Sequence, residues 1–152
     1  MTPAIMSPAN GAAAPKSADD AFDLICDFAR ITEWDPGVVS GRQIDAGPIT
    51  VGTTFEVVSA FGPRRIPLTY EVLEWDRPNR AVLQAVTRDF TSYDVISVDD
   101  LAGSGSELTY DATLRLHGPR KLFEPALAAS FVVIGRRAES GIRKALKRQA
   151  VQ

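Results

Sequence analysis

The chain has 152 residues, a formal net charge of −2, 45% hydrophobic residues and 24% charged residues. These values are typical of one globular domain, which at this length buries roughly 70% of its unfolded surface and needs no disulfide or metal to fold. The single cysteine and single histidine exclude a disulfide framework, a cysteine-based zinc or iron–sulfur site and a multi-histidine metal site. We therefore expect neither a metal nor a cofactor.

The first residues do not resemble an export signal, and no stretch is long enough to cross a membrane. Residues 1–17 lack a basic start and an apolar segment, and are rich in Ala, Pro, Ser and Gly. The longest apolar stretch, Leu122–Ile134, has 13 residues, whereas a transmembrane helix needs about 20. The sequence predicts a cytoplasmic protein without membrane insertion.

The chain is predicted to be one domain, residues 18–150, preceded by a poorly ordered arm, residues 1–17, with at most a short edge strand. Ser17 can cap a helix over about residues 18–29. Residues 31–37 indicate a second, short helical turn that ends at Asp35–Pro36–Gly37.

After Gly37 the hydrophobic period changes to two, which predicts β-strands. Turn signals rich in Gly, Pro and Asn separate the strands, and such short connections favour a sequential antiparallel meander. In the last strand, apolar residues and Tyr110 alternate with polar ones, so one face of the sheet is expected to be dry and the other wet. The predicted strands are 38–45, 53–61, 65–76, 80–88, 91–100 and 106–117.

A long helix is predicted after Gly118–Pro119. About 27 residues at 1.5 Å per residue would span roughly 40 Å, enough to lie across the dry face of the sheet. This segment is also basic, with eight basic and two acidic residues from Arg120 to Gln152. No aromatic residues interleave them, so we interpret them as a solvated helix face and expect no nucleic-acid partner. The apolar stripe consists of Phe123, Leu127, Phe131, Ile134, Ala138, Ile142 and Ala145.

This order of elements resembles the helix-grip fold of the START-like superfamily, and the residues resemble its polyketide cyclase/dehydrase branch, often called the SRPBCC family. The resemblance covers about residues 18–148 and implies an α+β fold in which a curved antiparallel sheet wraps around a long C-terminal helix. Family members usually begin with a full apolar strand, whereas Thr2–Met6 is short here. The matching motifs are Phe22–Asp23–Leu24–Ile25, Glu33–Trp34–Asp35–Pro36, Gly52–Thr53–Thr54–Phe55, Leu68–Thr69–Tyr70–Glu71–Val72, Arg77–Pro78, Gly105 before Leu108–Thr109–Tyr110, and Leu116-x-Gly118.

A sheet curled around a helix leaves a space between them, which side chains on the dry face either fill or line. Tyr70 and Tyr110 would bring hydroxyls into an otherwise apolar set, as in many small-molecule pockets. The alternative to lining a pocket is that each residue of this set simply packs in the core. Trp34 could equally pack between its helix and the sheet and hold them together. The candidate ligand-binding residues are Trp34, Phe55, Val57, Tyr70, Tyr93, Tyr110, Leu114 and Phe131.

Tyr93 and Asp94 are adjacent on one predicted strand, so only one of them points to the dry face. We expect Tyr93 to point inward, because Asp94 is cheaper to leave in water. If Asp94 points inward instead, burial would raise its pKa and make it a candidate acid or base.

The residues favour a protein that binds a small hydrophobic molecule, such as a lipid, an aromatic or a polyketide-like compound, between the sheet and the C-terminal helix. The resemblance leaves a cyclase/dehydrase-type enzyme open, although no catalytic motif is present and no catalytic residue is assigned. A filled-core protein with a structural or interaction role is the third hypothesis. A homodimer is left open.

Overall fold

The computed structural model describes residues 9–14, 16–102, 105–118 and 140–147. The strands are β1 (Ala9–Ala14), β2 (Val38–Gln43), β3 (Thr54–Phe61), β4 (Arg64–Asp76), β5 (Arg80–Val86), β6 (Phe90–Asp100) and β7 (Ser106–Leu116). Helix α1 covers Ala18–Cys26, a 3₁₀-helix covers Phe28–Glu33, and residues 140–147 are helical.

All seven strands form one antiparallel sheet in the order β1-β7-β6-β5-β4-β3-β2. Strands β2 to β7 follow one another in sequence, which confirms the predicted six-stranded meander. Strand β1 pairs with β7 and forms one edge of the sheet. It lies within the segment for which the sequence predicted an arm with at most a short edge strand.

Helix α1 begins as the sequence predicts but ends earlier. The Ser17 hydroxyl accepts the backbone N–H of Asp20 at 3.1 Å, which caps the first turn. The helix ends at Cys26 because Asp27 is extended, with φ −81° and ψ 99°. The Asp27 carboxylate accepts the N–H of Ala29 at 2.9 Å and so starts the 3₁₀-helix. The predicted helix over 18–29 therefore ends at Cys26, and the second helical turn, predicted over 31–37, begins earlier, at Phe28, and ends at Glu33.

One face of the sheet is covered by the helices, as the alternation predicts. Strand β4 alternates buried and exposed residues through Leu68, Tyr70 and Val72. The other residues that share this covered face include Phe55, Val57, Ala81, Leu83, Ala85, Ile96, Val98, Leu108 and Ala112, packed against Phe22, Ile25 and Phe28. This is the α+β helix-grip arrangement that the resemblance implies.

The helical segment 140–147 buries Ile142, Ala145 and Leu146 in the same core, and the first two belong to the predicted apolar stripe. Gly141 lies directly against the backbone carbonyl of Trp34, where an added Cβ would collide with the carbonyl oxygen. The C-terminal segment thus docks on the end of the 3₁₀-helix. The rest of the predicted long helix lies outside the described residues. Within the described ranges, no helix is long and apolar enough to span a membrane.

Candidate functional site

Strand β6 turns a carboxylate toward the covered face of the sheet. Asp94 is 5% exposed and Tyr93 is 39% exposed. The expectation that Tyr93 points inward and Asp94 outward is therefore wrong. Alternate residues of a strand point to the same face, so Asp94 points the same way as Ile96 and Val98. Burial of these two apolar side chains determines which face of the strand is covered.

The buried Asp94 carboxylate belongs to a hydrogen-bonded network with hydroxyl groups from three strands. The Tyr110 hydroxyl donates to Asp94 Oδ2 at 2.6 Å, and the Ser92 hydroxyl donates to Asp94 Oδ1 at 3.1 Å. The Tyr70 hydroxyl donates to Ser92 Oγ at 3.0 Å. We call these four side chains the buried polar cluster. It lies within an otherwise apolar face of the sheet.

Small residues in the sheet make this cluster sterically feasible. Ala85 is the cross-strand partner of both Tyr70 and Ser92, so the Tyr70 ring extends over a methyl group to the serine. Ala112 lies opposite Asp94 on β7, and Tyr110 is the diagonal neighbour of Asp94 on that strand. The register of β4 to β7 therefore brings together residues that are far apart in the sequence.

Burial raises the pKa of Asp94 to about 6. The hydrogen bonds from Tyr110 and Ser92 favour the ionised carboxylate and oppose this increase, while the negative charges of Asp35 and Asp111 add to it. Burial also raises the pKa values of Tyr70 and Tyr110 well above their usual range, and Asp94 reinforces this effect. Both phenols therefore keep their protons at neutral pH, whereas Asp94 titrates close to it.

Aromatic rings from the 3₁₀-helix and its C-terminal cap cover the cluster. The Phe28 ring contacts the Tyr70 ring edge-on at 5.0 Å between centroids, and the Trp34 ring contacts the Tyr110 ring edge-on at 5.6 Å. Phe28 also contacts Phe55, with centroids 6.1 Å apart. Trp34 is 3% exposed, and its indole Nε1 has no hydrogen-bond partner in the described part of the chain.

A second acidic residue follows Trp34 in the turn that ends this helical region. The Asp35 carboxylate accepts the backbone N–H of Gly37 at 2.8 Å, and burial raises its pKa. The turn signal Asp35–Pro36–Gly37 thus both ends the helix and holds a carboxylate close enough to influence Asp94. Among the residues described, no group of histidine, cysteine and acidic side chains is arranged to hold a metal ion.

Trp34 also belongs to the lining of an open groove on the outside of the molecule. The groove has a volume of about 530 Å³ and lies between the end of the 3₁₀-helix and the helical segment 140–147. Trp34 thus belongs both to the lining of this groove and, through its ring, to the surroundings of Tyr110. The groove is lined by Thr32, Glu33, Trp34, Pro36, Ser140, Gly141 and Lys144.

Five of the eight candidate residues are buried on the covered side of the sheet: Trp34, Phe55, Val57, Tyr70 and Tyr110. Leu114 is half-buried, Tyr93 points away, and Phe131 lies outside the described residues. Whether any of them contacts a ligand stays a prediction.

The sequence reasoning missed Phe28 and Ser92 as members of this region, and it placed Asp94 on the wrong face. A signal for Ser92 and Asp94 was available, because Ile96 and Val98 continue the same alternation. No sequence signal connects Phe28 with Tyr70, since their contact depends on how the 3₁₀-helix packs on the sheet.

Known structures share this architecture at low sequence identity. A protein from Thermus thermophilus matches with a TM-score of 0.72 and 15% identity, covering 91% of this chain and 94% of the other. A START superfamily protein from Mycobacterium smegmatis also matches with a TM-score of 0.72, at 9% identity, covering 96% of this chain and 98% of the other. The di-domain ARO/CYC BexL of the BE-7585A biosynthetic pathway matches with a TM-score of 0.66 and 13% identity, covering 95% of this chain and 46% of the other. At such identities these likenesses show the fold alone.

The antiparallel sheet with helices on one face defines an α+β protein of the START-like helix-grip class. The family model for polyketide cyclase/dehydrase and lipid transport proteins matches residues 13–148, and the chain belongs to that family. A comparison with curated proteins finds no match.

Proposed function

We propose that this protein binds a small hydrophobic molecule, such as a lipid, an aromatic or a polyketide-like compound, between the sheet and the C-terminal helix. The observation that carries the proposal is the buried polar cluster around Asp94, set in an apolar face. Burying an ionisable carboxyl is unfavourable, and a well-packed apolar side chain is often as stable or more stable at such a position. A filled core would have no need of Asp94, whereas a pocket needs a few convergent polar groups to orient its ligand.

The family supports the same proposal, because its description joins cyclase and dehydrase activities with lipid transport. Lipid transport requires that the protein hold an apolar molecule. Trp34 is well placed to form one wall of the binding site, because it is one of the residues lining the outer groove and its ring packs against the Tyr110 ring.

Binding can be tested with a neutral fluorescent probe, N-phenyl-1-naphthylamine, and with a substitution that enlarges one side chain at the site. Ala112 lies opposite Asp94, so Ala112→Leu places a larger side chain beside the buried polar cluster. If the site is open, this variant should lower probe affinity at least about tenfold and change stability little. If the core is filled, it should destabilise the protein by about 1–3 kcal/mol through overpacking, with no probe binding in either protein.

The matched control is Ala60→Leu, which adds the same side chain at an exposed position of β3. It should leave both probe affinity and stability close to those of the original protein. Native mass spectrometry of protein purified from its source provides an independent test. A co-purifying apolar molecule supports the proposal, and equal probe binding by the Ala112→Leu variant contradicts it.

The second candidate function is a cyclase/dehydrase-type enzyme using the same site, and the titration of Asp94 favours it. A general acid or base works best when its pKa lies near the working pH, and the pKa of Asp94 is about 6. Product formation from a polyketide-type substrate, lost in Asp94→Asn and retained in Asp99→Asn, would support catalysis. Asp99 is the matched control because it lies exposed on the same strand.

A further inference from the structure

The hydroxyl protons of the buried polar cluster are all committed within the protein. The Tyr70 hydroxyl donates to Ser92, and the hydroxyls of Ser92 and Tyr110 both donate to Asp94. A hydroxyl carries one proton, so none of these three side chains has a proton left to donate to a ligand. The hydroxyls that Tyr70 and Tyr110 bring to this face of the sheet therefore cannot donate to a ligand while these hydrogen bonds are kept.

What the cluster offers instead is acceptor capacity. A carboxylate oxygen has about two lone-pair positions. Each oxygen of Asp94 accepts one hydrogen bond from the cluster, so each retains acceptor capacity. Asp35 and Asp111 add negative charge nearby. No cation hydrogen-bonds to Asp94 among the residues described. An anionic group placed here would be repelled, and a hydrogen-bond donor would be stabilised.

One unsatisfied donor belongs to Trp34, whose ring contacts Tyr110, the donor to Asp94 Oδ2. The indole N–H of Trp34 is buried and has no partner in the described ranges, and its ring packs against the Tyr110 ring. An unpaired buried N–H is costly, so a molecule that brings an acceptor to this position is favoured. The region therefore favours a molecule that can both donate and accept a hydrogen bond.

We propose that the ligand of this site is an uncharged, apolar molecule with a hydroxyl group, which donates to Asp94 and accepts from the Trp34 indole. This inference rests on the proposed binding function and specifies its ligand class. A carboxylate has no proton to donate and adds a fourth negative charge to those of Asp35, Asp94 and Asp111. A protonated amine can donate, but it cannot accept from Trp34 and must lose its hydration to enter.

Three compounds with one apolar body test the proposal by isothermal titration calorimetry. 2-Naphthol donates and accepts, 2-methoxynaphthalene accepts only, and 2-naphthoate is an anionic acceptor. We expect 2-naphthol to bind about tenfold more tightly than 2-methoxynaphthalene, because a hydrogen bond to a charged acceptor is one of the stronger kinds. We expect 2-naphthoate to bind more weakly than either.

Replacing the acceptor should remove or invert the preference for 2-naphthol. Asp94→Leu removes the carboxylate and frees the hydroxyl protons of Ser92 and Tyr110, so 2-methoxynaphthalene should then bind at least as tightly as 2-naphthol. Asp99→Leu, at an exposed position of the same strand, should keep the original order. Circular dichroism establishes that each variant is folded.

A second variant keeps the proposal testable if Asp94→Leu fails to fold. Tyr110→Phe removes one donor to Asp94 Oδ2 and so leaves more acceptor capacity for a ligand. Measured at about pH 8, where Asp94, with a pKa of about 6 in the original protein, is ionised, its preference for 2-naphthol over 2-methoxynaphthalene should be maintained or increased, and a decrease would contradict the proposal.

The series separates this inference from the proposed function on which it rests. Equal or tighter binding of 2-methoxynaphthalene or 2-naphthoate by the original protein overturns the hydroxyl preference and leaves hydrophobic binding intact. Failure of all three compounds and of N-phenyl-1-naphthylamine to bind overturns both.

Discussion

The buried carboxyl of Asp94 should make the stability of this protein depend on pH in a specific way. Its pKa is about 6 in the folded protein, against about 3.9 in an unfolded chain. The folded state therefore binds the proton more tightly than the unfolded state, so protonation stabilises the fold as the pH falls through about 6. Between about pH 7.5 and 4.5 this amounts to about 2 kcal/mol.

Asp94→Asn isolates this contribution, because the amide has nearly the same shape and does not titrate. Urea unfolding at the two pH values gives the free energy of unfolding of each protein. The stability of the original protein relative to the variant should increase by about 2 kcal/mol on going from about pH 7.5 to 4.5. Carboxyls whose folded-state pKa is lowered, such as Asp23, lose their stabilising contribution mainly below about pH 4, outside this range. They are present in both proteins and cancel in the comparison.

Other acidic groups close to Asp94 affect the pKa that this experiment measures. Asp35 and Asp111 raise the pKa of Asp94 by their charge, so the measured value belongs to Asp94 in their presence. As a control, Asp99→Asn, an exposed carboxyl of the same strand, should show no comparable change with pH. A difference between the original protein and Asp94→Asn that stays constant within about 0.5 kcal/mol at both pH values would refute a raised pKa.

Two further predictions concern the surroundings of the site. Tyr110→Phe should raise the pKa of Asp94 further, because it removes a hydrogen bond to the carboxylate; Tyr70→Phe, which removes a bond to the neighbouring serine, should raise it less. Carboxyl ¹³C NMR titration measures both, and an unchanged or lowered value in Tyr110→Phe would contradict the first. Gly141→Ala should destabilise the protein by about 1–3 kcal/mol, because the added Cβ collides with a backbone carbonyl at the end of the 3₁₀-helix. The control Ser140→Ala is exposed and should be neutral, and an equally stable Gly141→Ala variant would contradict the docking of this segment.

The sequence by itself determined the class of fold. A change of hydrophobic period after Gly37, six alternating segments and short turn signals between them are local properties, and they specify an antiparallel meander without reference to long-range contacts. The capping residue Ser17 and the turn around Pro36 likewise mark the beginning and end of the helical region from neighbouring residues alone. Strand Ala9–Ala14 has no such local signal, and its place beside β7 depends on pairing with a distant strand.

The tertiary structure decided the polarity of the site. From the sequence, Tyr93 was expected to point inward, because removing the Asp94 carboxylate from water is costly. That cost is lowered by hydrogen-bond donors, and the donors to Asp94 cannot be identified from the sequence alone. Sheet register supplies those partners: it brings Tyr110 from the next strand to within 2.6 Å of the carboxylate and lets Tyr70 approach Ser92 across a small residue. The free energy of burying a charged group is set by the groups around it, and only the assembled sheet determines which groups those are.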